Sequence, residues 1–238
     1  MEVAMEAAMS NDLVLITGSS GLIGSATVQR LADRHALVGF DRDGPPHPPR
    51  AAECVCIALT SDESVREGME RVRYAYGNRI ASVIHLAAYY DFSGEPSPLY
   101  EQIKVRGTER LMRALQGFDV EQFVFSSSML VHAPSEPGRR ITEDSPLLPK
   151  WDYPKSKVET EHLLREKRGN IPLVVLRIAG VYDDKCHSIP IAHQIQRIFE
   201  RRLISHVFPG DISHGQAFVH LHDLVEALSL VGAGFQKS

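Results

Sequence analysis

No stretch of this chain approaches the roughly 20 consecutive apolar residues that a membrane-spanning helix needs. Charge of one sign is not in excess either. With 26 Lys and Arg against 30 Asp and Glu, and no basic stripe, nothing reads as a nucleic-acid footprint. Cysteine is scarce, three in 238 residues, so the thiols cannot all pair with one another. Cys54 and Cys56 would share one face of a single strand, a poor disulfide geometry. Few cysteines and no disulfide framework fit a reducing cytoplasm. The opening Met1-Glu-Val-Ala-Met-Glu6 is acidic and lacks the basic end and apolar stretch of a secretory signal. Metal-ligand spacing is missing too. The eleven histidines are scattered, and His220-x-His222 has no third ligand nearby, so no metal site is expected. What the chain does have is a 43% hydrophobic composition, enough to bury a substantial single core.

The apolar residues fall into short runs separated by helical patterns. Leu13 to Thr17 is wholly apolar up to its last residue and ends at a glycine, which suits a strand buried on both faces. Leu22, Ile23, Ala26 and Leu31 then recur at helical spacing. Further strands are expected at Ala36–Phe40, Cys54–Leu59, Val83–Leu86, Phe123–Phe125 and Leu173–Leu176. Between them, helices are expected from a capping box at Thr60-Ser-Asp-Glu63, over Pro98–Leu115 and over Tyr153–Lys167. Gly44-Pro-Pro-His-Pro-Pro49 can only be a loop. Strands that alternate with helices and are apolar throughout imply an α/β fold, a parallel sheet covered on both faces. From about Ile189 the pattern loosens, with a helix expected over His193–Arg202 and a strand running into a helix at Phe218–Asp223. The expected division is a nucleotide-binding domain over residues 11–185 and a smaller substrate-side region over 186–238.

Two motifs carry the chemistry. Gly18, Gly21 and Gly24 punctuate Thr17-Gly-Ser-Ser-Gly-Leu-Ile-Gly24 at the junction of a strand and a helix. A tight turn, a backbone that approaches phosphate and a helix packed close on its strand each need a missing Cβ, and the helix N-terminus adds partial positive charge. A glycine turn that binds nothing is the plain alternative. Strand before and helix after favour the phosphate site, with Ser20, Leu22 and Ile23 lying in it. Asp41 closes the second strand, placed to accept from an adenosine ribose and to repel a 2′-phosphate, which favours NAD over NADP. Arg42 beside it is either a solvated loop charge or a partner for such a phosphate.

The second motif is Tyr153-Pro-Lys-Ser-Lys157. Residues four apart share a helix face, so the phenol and the ammonium project together. A free phenol titrates near pH ~10, and a nearby ammonium and a positively charged nicotinamide ring are both expected to lower that value. Ser128, at the end of the fifth strand, is placed to hydrogen-bond the same substrate oxygen. Tyr-x-x-x-Lys alone is a common solvated face. Together with the glycine turn and the serine run it points to general acid/base chemistry coupled to hydride transfer.

These residues resemble an extended short-chain dehydrogenase/reductase of the NAD-dependent epimerase/dehydratase family. The likeness rests on the glycine turn, Ile84-His-Leu-Ala-Ala88, Phe123-Val-Phe-Ser-Ser-Ser128, Tyr153-x-x-x-Lys157, Leu176-Arg177 with Gly180-Val-Tyr182, and Phe218-Val-His-Leu-His-Asp223, in family order. It implies a Rossmann-type doubly wound sheet with a short C-terminal substrate lobe, and NAD as cofactor. It also implies Ser128, Tyr153 and Lys157 as the catalytic set, with further cofactor contacts at Leu59, Leu86, Ala87 and Ala88. The implied reaction is oxidation or epimerisation of a secondary alcohol of a nucleotide sugar. A dehydratase is disfavoured because Met129 and Leu130 stand where related dehydratases carry acids. A non-catalytic NAD(P)-binding sensor or assembly protein is the alternative. The family commonly pairs as a homodimer, here through segments 104–115 and 153–167. Four departures stand out: Lys104 where an Asn is usual, Ala58 in place of an acid, His132 in place of a tyrosine, and an end at Ser238 soon after the last motif. The loop Asp91–Ser97 is expected to line the substrate mouth, and Arg197, Arg201 and Arg202 read as a solvated helix face rather than a diphosphate site.

Overall fold

The computed structural model describes residues 12–42, 51–91, 95–136, 138–207 and 215–232, apart from the side chain of residue 204. The expected Gly44–Pro49 loop, the N-terminal Met1–Glu6 and part of the 91–97 loop lie outside the described residues.

Six strands form the central sheet: β1 (Leu13–Thr17), β2 (Ala36–Asp41), β3 (Glu53–Cys56), β4 (Ser82–His85), β5 (Phe123–Ser128) and β6 (Leu173–Ile178). Every pairing is parallel and the spatial order is β3-β2-β1-β4-β5-β6. The chain winds outward from β1 in one direction, then returns to β1 and winds the other way. The crevice therefore opens at the carboxyl ends of β1 and β4.

Strand alternation sorts β1 between two cores. Leu13 and Leu15 pack with Val65, Met69 and Val72 of α2 (Asp62–Tyr76), Leu111 and Leu115 of α3 (Arg106–Leu115) and Leu164 of α4 (Asp152–Lys167). Val14 and Ile16 face the other way, onto Val28 and Leu31 of α1 (Leu22–Leu31) and Leu224 and Leu228 of α6 (Leu221–Gly232). Burying both faces of the same strand explains why it carries no polar alternation. Between β6 and α6 lie β7 (Gly180–Tyr182), α5 (Ile189–Phe199) and β8 (Phe218–His220), with β7 and β8 paired parallel.

Several boundaries differ from the sequence reading, each for a local reason. β3 ends at Cys56 rather than Leu59 because it is the outer strand, although Ile57 N still donates to Asp41 O at 2.7 Å. The cap of α2 is Ser61, whose hydroxyl accepts from Ser64 N at 3.2 Å, so the expected box is displaced by one residue. Helix α5 starts earlier, with Pro190 in its first turn, and ends at Phe199, leaving Arg201 at φ 53° beyond it. The long helix expected over Pro98–Leu115 is α-helical only from Arg106. Tyr100–Val105 forms a π-helical turn, a form that recurs at functional sites.

Candidate active site

The glycine turn is built for close approach. Gly18 sits at φ 71°, in the left-handed region that favours glycine, and a Cβ there would stand 2.8 Å from Ala87 N. A Cβ on Gly24 would collide with the Gly18 carbonyl and lie 2.8 Å from Ser19 Cα. Gly21 caps α1 without any side-chain hydrogen bond, which leaves the first N–H groups of the helix open to an anion. Asp41 accepts from Ser20 N and from Arg42 N, both at 2.9 Å, so its carboxylate ties the end of β2 to the turn.

A cavity of about 800 Å³ opens over this turn. Its lining includes the predicted Gly18, Ser20, Gly21, Asp41, Arg42, Leu59, Leu86, Ala87 and Ala88. Leu22, Ile23 and Gly24 are not on that wall; they form the first turn of α1 behind it. Ala58, where the resemblance led one to look for an acid, lines the cavity next to Leu59. Tyr89, Tyr90, Leu99 and Ile103 line the opposite end and were missed from sequence. Their signal was weak, since the aromatic pair follows Ile84-His-Leu-Ala-Ala88 without any helical or strand period of its own.

His85 braces this wall from behind. Its ring nitrogens bond Thr17 Oγ1 at 2.7 Å and Thr108 Oγ1 at 2.8 Å, and Thr17 Oγ1 accepts from Ala87 N at 3.1 Å. Full burial, with the Lys157 charge adding to it, pushes the imidazole down to about 3, so it is neutral at any working pH. It works as a fixed strut between β4, β1 and α3.

Ser128, Tyr153 and Lys157 come together as the sequence spacing implies. Ser128 ends β5, its hydroxyl accepting from Leu130 N at 3.2 Å and acting on the Tyr153 phenol nearby. Lys157, 2% exposed, donates to Ser126 O and sits 4.9 Å over the Phe125 ring and 5.9 Å from the Tyr153 ring. The expected lowering of the phenol is not found. Burial pushes Tyr153 up to about 12, and the Ser128 bond only partly opposes it. Burial likewise brings Lys157 down to about 7, against the pull of Glu161. Desolvation is the largest cause at both groups.

Lys104 was read from sequence as a lost amide, and it is placed in the same cluster. It is 2% exposed, with Nζ 3.7 Å over the Tyr153 ring and 4.6 Å over the Tyr100 ring, and it donates to Ser156 Oγ at 3.3 Å. The sequence did hold the signal. Lys104 falls on the buried stripe of Thr108, Leu111 and Leu115, where a solvated lysine does not belong. Tyr90 meets the Tyr153 ring edge-on at 4.6 Å and is 43% exposed, at the mouth of the cavity.

Beneath the cluster, Glu161 is fully buried and takes a fork from Arg177, at 2.8 and 3.1 Å, together with Ser127 Oγ. Burial alone would raise this carboxyl, but the Arg177 and Ser127 bonds outweigh it and hold it below the usual range. The pair fixes α4 to β5 and β6, and so fixes the height of Tyr153. His132 borders the same pair, with Nε2 at 3.3 Å from Arg177. Arg202 pairs with Glu200 beyond α5, away from these residues. Among the described residues, no group of three or more His, Cys, Asp or Glu is placed to hold a metal ion, and no helix is long and apolar enough to cross a membrane.

Known proteins share this sequence pattern and fold. A model of the NAD dependent epimerase/dehydratase family matches residues 14–236. The dTDP-4-dehydro-6-deoxyglucose reductase of Escherichia coli is 31% identical over 233 residues, covering 90% of this chain and 70% of that one. The 3 beta-hydroxysteroid dehydrogenase type 7 of Mus musculus is 27% identical over 86% of this chain, which spans 59% of the mouse protein's length. Among solved structures, the UDP-glucose 4-epimerase of Thermus thermophilus in complex with NAD superposes with a TM-score of 0.73 at 26% identity, over 92% of this chain and 74% of that one.

Proposed function

The chain belongs to the NAD-dependent epimerase/dehydratase family, and from that premise we propose that it is an NAD-dependent oxidoreductase or epimerase acting on a secondary alcohol of a nucleotide sugar. The observations that support the reading are Lys157 held 5.9 Å from the Tyr153 ring, Ser128 at the end of β5, and a glycine turn in which Gly18 and Gly24 leave no room for a Cβ.

The residues present suit the cofactor. Gly18, Gly21 and the open start of α1 would hold its pyrophosphate, and Asp41 its adenosine ribose. Gly18 leaves no room for a Cβ, and the added volume would have to be taken from the wall carrying Ala87. NAD, when bound, supplies the hydride acceptor. The chain's own work is proton handling. Ser128 holds the substrate hydroxyl in place while Tyr153 takes its proton, and Lys157 provides the charge that favours the phenolate.

Tyr153→Phe should abolish hydride transfer and leave NAD affinity nearly intact, because only the phenolic oxygen is lost. Calorimetry with NAD, followed by turnover on a panel of UDP- and dTDP-sugars, tests this. Turnover in Tyr153→Phe equal to that of the parent would refute the assignment. We also infer a homodimer paired through α3 and α4; a monomer in light scattering at high concentration would rule it out.

A further inference from the structure

Two buried amines, not one, face the ring of Tyr153. Lys157 belongs to the catalytic set. Lys104 approaches from the π-helical turn, its Nζ at 3.7 Å from the ring centroid, closer than the 5.9 Å of Lys157. Its other partner is Ser156, on the helix that carries Tyr153, and Ser156 donates in turn to the Tyr153 carbonyl at 2.8 Å. The amine is therefore tied to the turn of α4 that presents the phenol.

We propose that Lys104 is a positioning residue for Tyr153, an amine held against the face of the ring that tunes the phenol through its own charge. The proposal rests on Tyr153 being the acid/base group. An ammonium on an aromatic face is attracted by the ring's electron density, and that density is greater in a phenolate than in a phenol. A charged Lys104 therefore favours the ionised form and holds the ring in place.

The groups around it fix how this charge behaves. From α4 come Lys157, a like charge, and Ser156. Glu161 on that helix is committed to Arg177, Arg165 and Ser127. From the π-turn comes Tyr100, from β5 Ser128, whose hydroxyl acts to lower the phenol, and from the loop after β4 Tyr90. His85 behind them is neutral. None of these contacts is a carboxylate on Lys104. Burial first, and the Lys157 charge second, bring the amine down to about 6, so it exchanges its proton within the working range. Lys104 is 2% exposed and its amine lies against the Tyr153 ring, so it acts on substrate through Tyr153.

The test reads the ring directly. The full chain has seven tyrosines, so with ¹³Cζ-labelled tyrosine the Tyr153 signal can be assigned by comparison with Tyr153→Phe. In Lys157→Met, where Lys104 is the remaining amine on the ring, the Tyr153 signal should step as Lys104 discharges. That step should lie above pH 6, because the like charge is gone. Adding Lys104→Met should abolish it, and adding Lys104→Arg, whose charge is permanent, should do the same while keeping the cation. No step between about pH 5 and 10 in Lys157→Met, or a step that survives in the double variant, overturns the proposal.

A second arm uses turnover with NAD and UDP-glucose, or whichever sugar of the panel is accepted. At about pH 5.5, where the Lys104 amine keeps its proton, Lys104→Met should lower kcat roughly five- to tenfold with KM unchanged, and Lys104→Arg should recover most of the loss. A loss confined to KM overturns the proposal. If the parent turns over nothing, the functional reading falls while the ring signal still decides the role of Lys104.

Discussion

Burying Lys104 must cost folding free energy, and the cost has a pH signature. Its ammonium titrates at about 6 in the folded chain against 10.5 as a free side chain, a depression caused first by burial. Between those two values the unfolded chain binds a proton that the folded chain does not, so stability rises with pH across the window. Each unit is worth about 1.4 kcal/mol, which puts the ceiling of the penalty at pH 7 near ~5 kcal/mol. Lys104→Met keeps a similar volume and removes the charge, at the loss of one hydrogen bond to Ser156, worth about 1 kcal/mol. The variant should therefore be more stable than the parent at pH 7, by roughly 2–4 kcal/mol. The advantage should shrink by about 1.4 kcal/mol per unit as pH rises towards 9, since the parent's penalty fades there. Titrations of groups far from Lys104 cancel in the difference between the two proteins. Urea unfolding followed by circular dichroism at pH 6, 7, 8 and 9 gives the comparison. A variant less stable than the parent at pH 7, or two stability curves that run parallel, would refute the reasoning.

Two contrasts test the cofactor side. Gly24→Ala should lower both stability and NAD affinity, the latter at least tenfold, because the added methyl meets the Gly18 backbone. Gly21→Ala, whose nearest contact is 3.4 Å, should keep its melting temperature, and equal losses in the two variants would contradict the packing argument. Asp41→Ala should weaken NAD and narrow its advantage over NADP, because the carboxylate no longer accepts from Ser20 N or opposes a 2′-phosphate. Calorimetry with both nucleotides decides it, and NADP as the tighter ligand of the parent would show that Arg42 dominates.

Much of this protein could be read along the chain because its signals are local. An apolar run ending at glycine needs no partner to be recognised as a buried strand, and Gly18 and Gly24 report a turn that side chains cannot enter. The spacing of Tyr153 and Lys157 is a helical period, so their shared face follows from sequence alone. Local signals also mislead by small amounts, as with the cap at Ser61 and the π-helical turn before α3, where neighbouring serines and helical residues compete on nearly equal terms.

What the chain order could not supply was which distant side chains share a pocket and how dry that pocket is. Lys104 and Tyr153 lie on different helices, and their contact exists only because the π-turn packs against α4. The ionisation of Tyr153 turned the same way. Counting charges along the sequence predicts a phenol made more acidic by its lysine, whereas burial raises the phenol to about 12 and lowers both amines. The sequence by itself determined the strands, the glycine turn proposed for phosphate and the trio proposed for catalysis, since each is written in spacing and residue type. The tertiary structure alone decided the second amine and the charge state of the site, because desolvation depends on what surrounds a group in space.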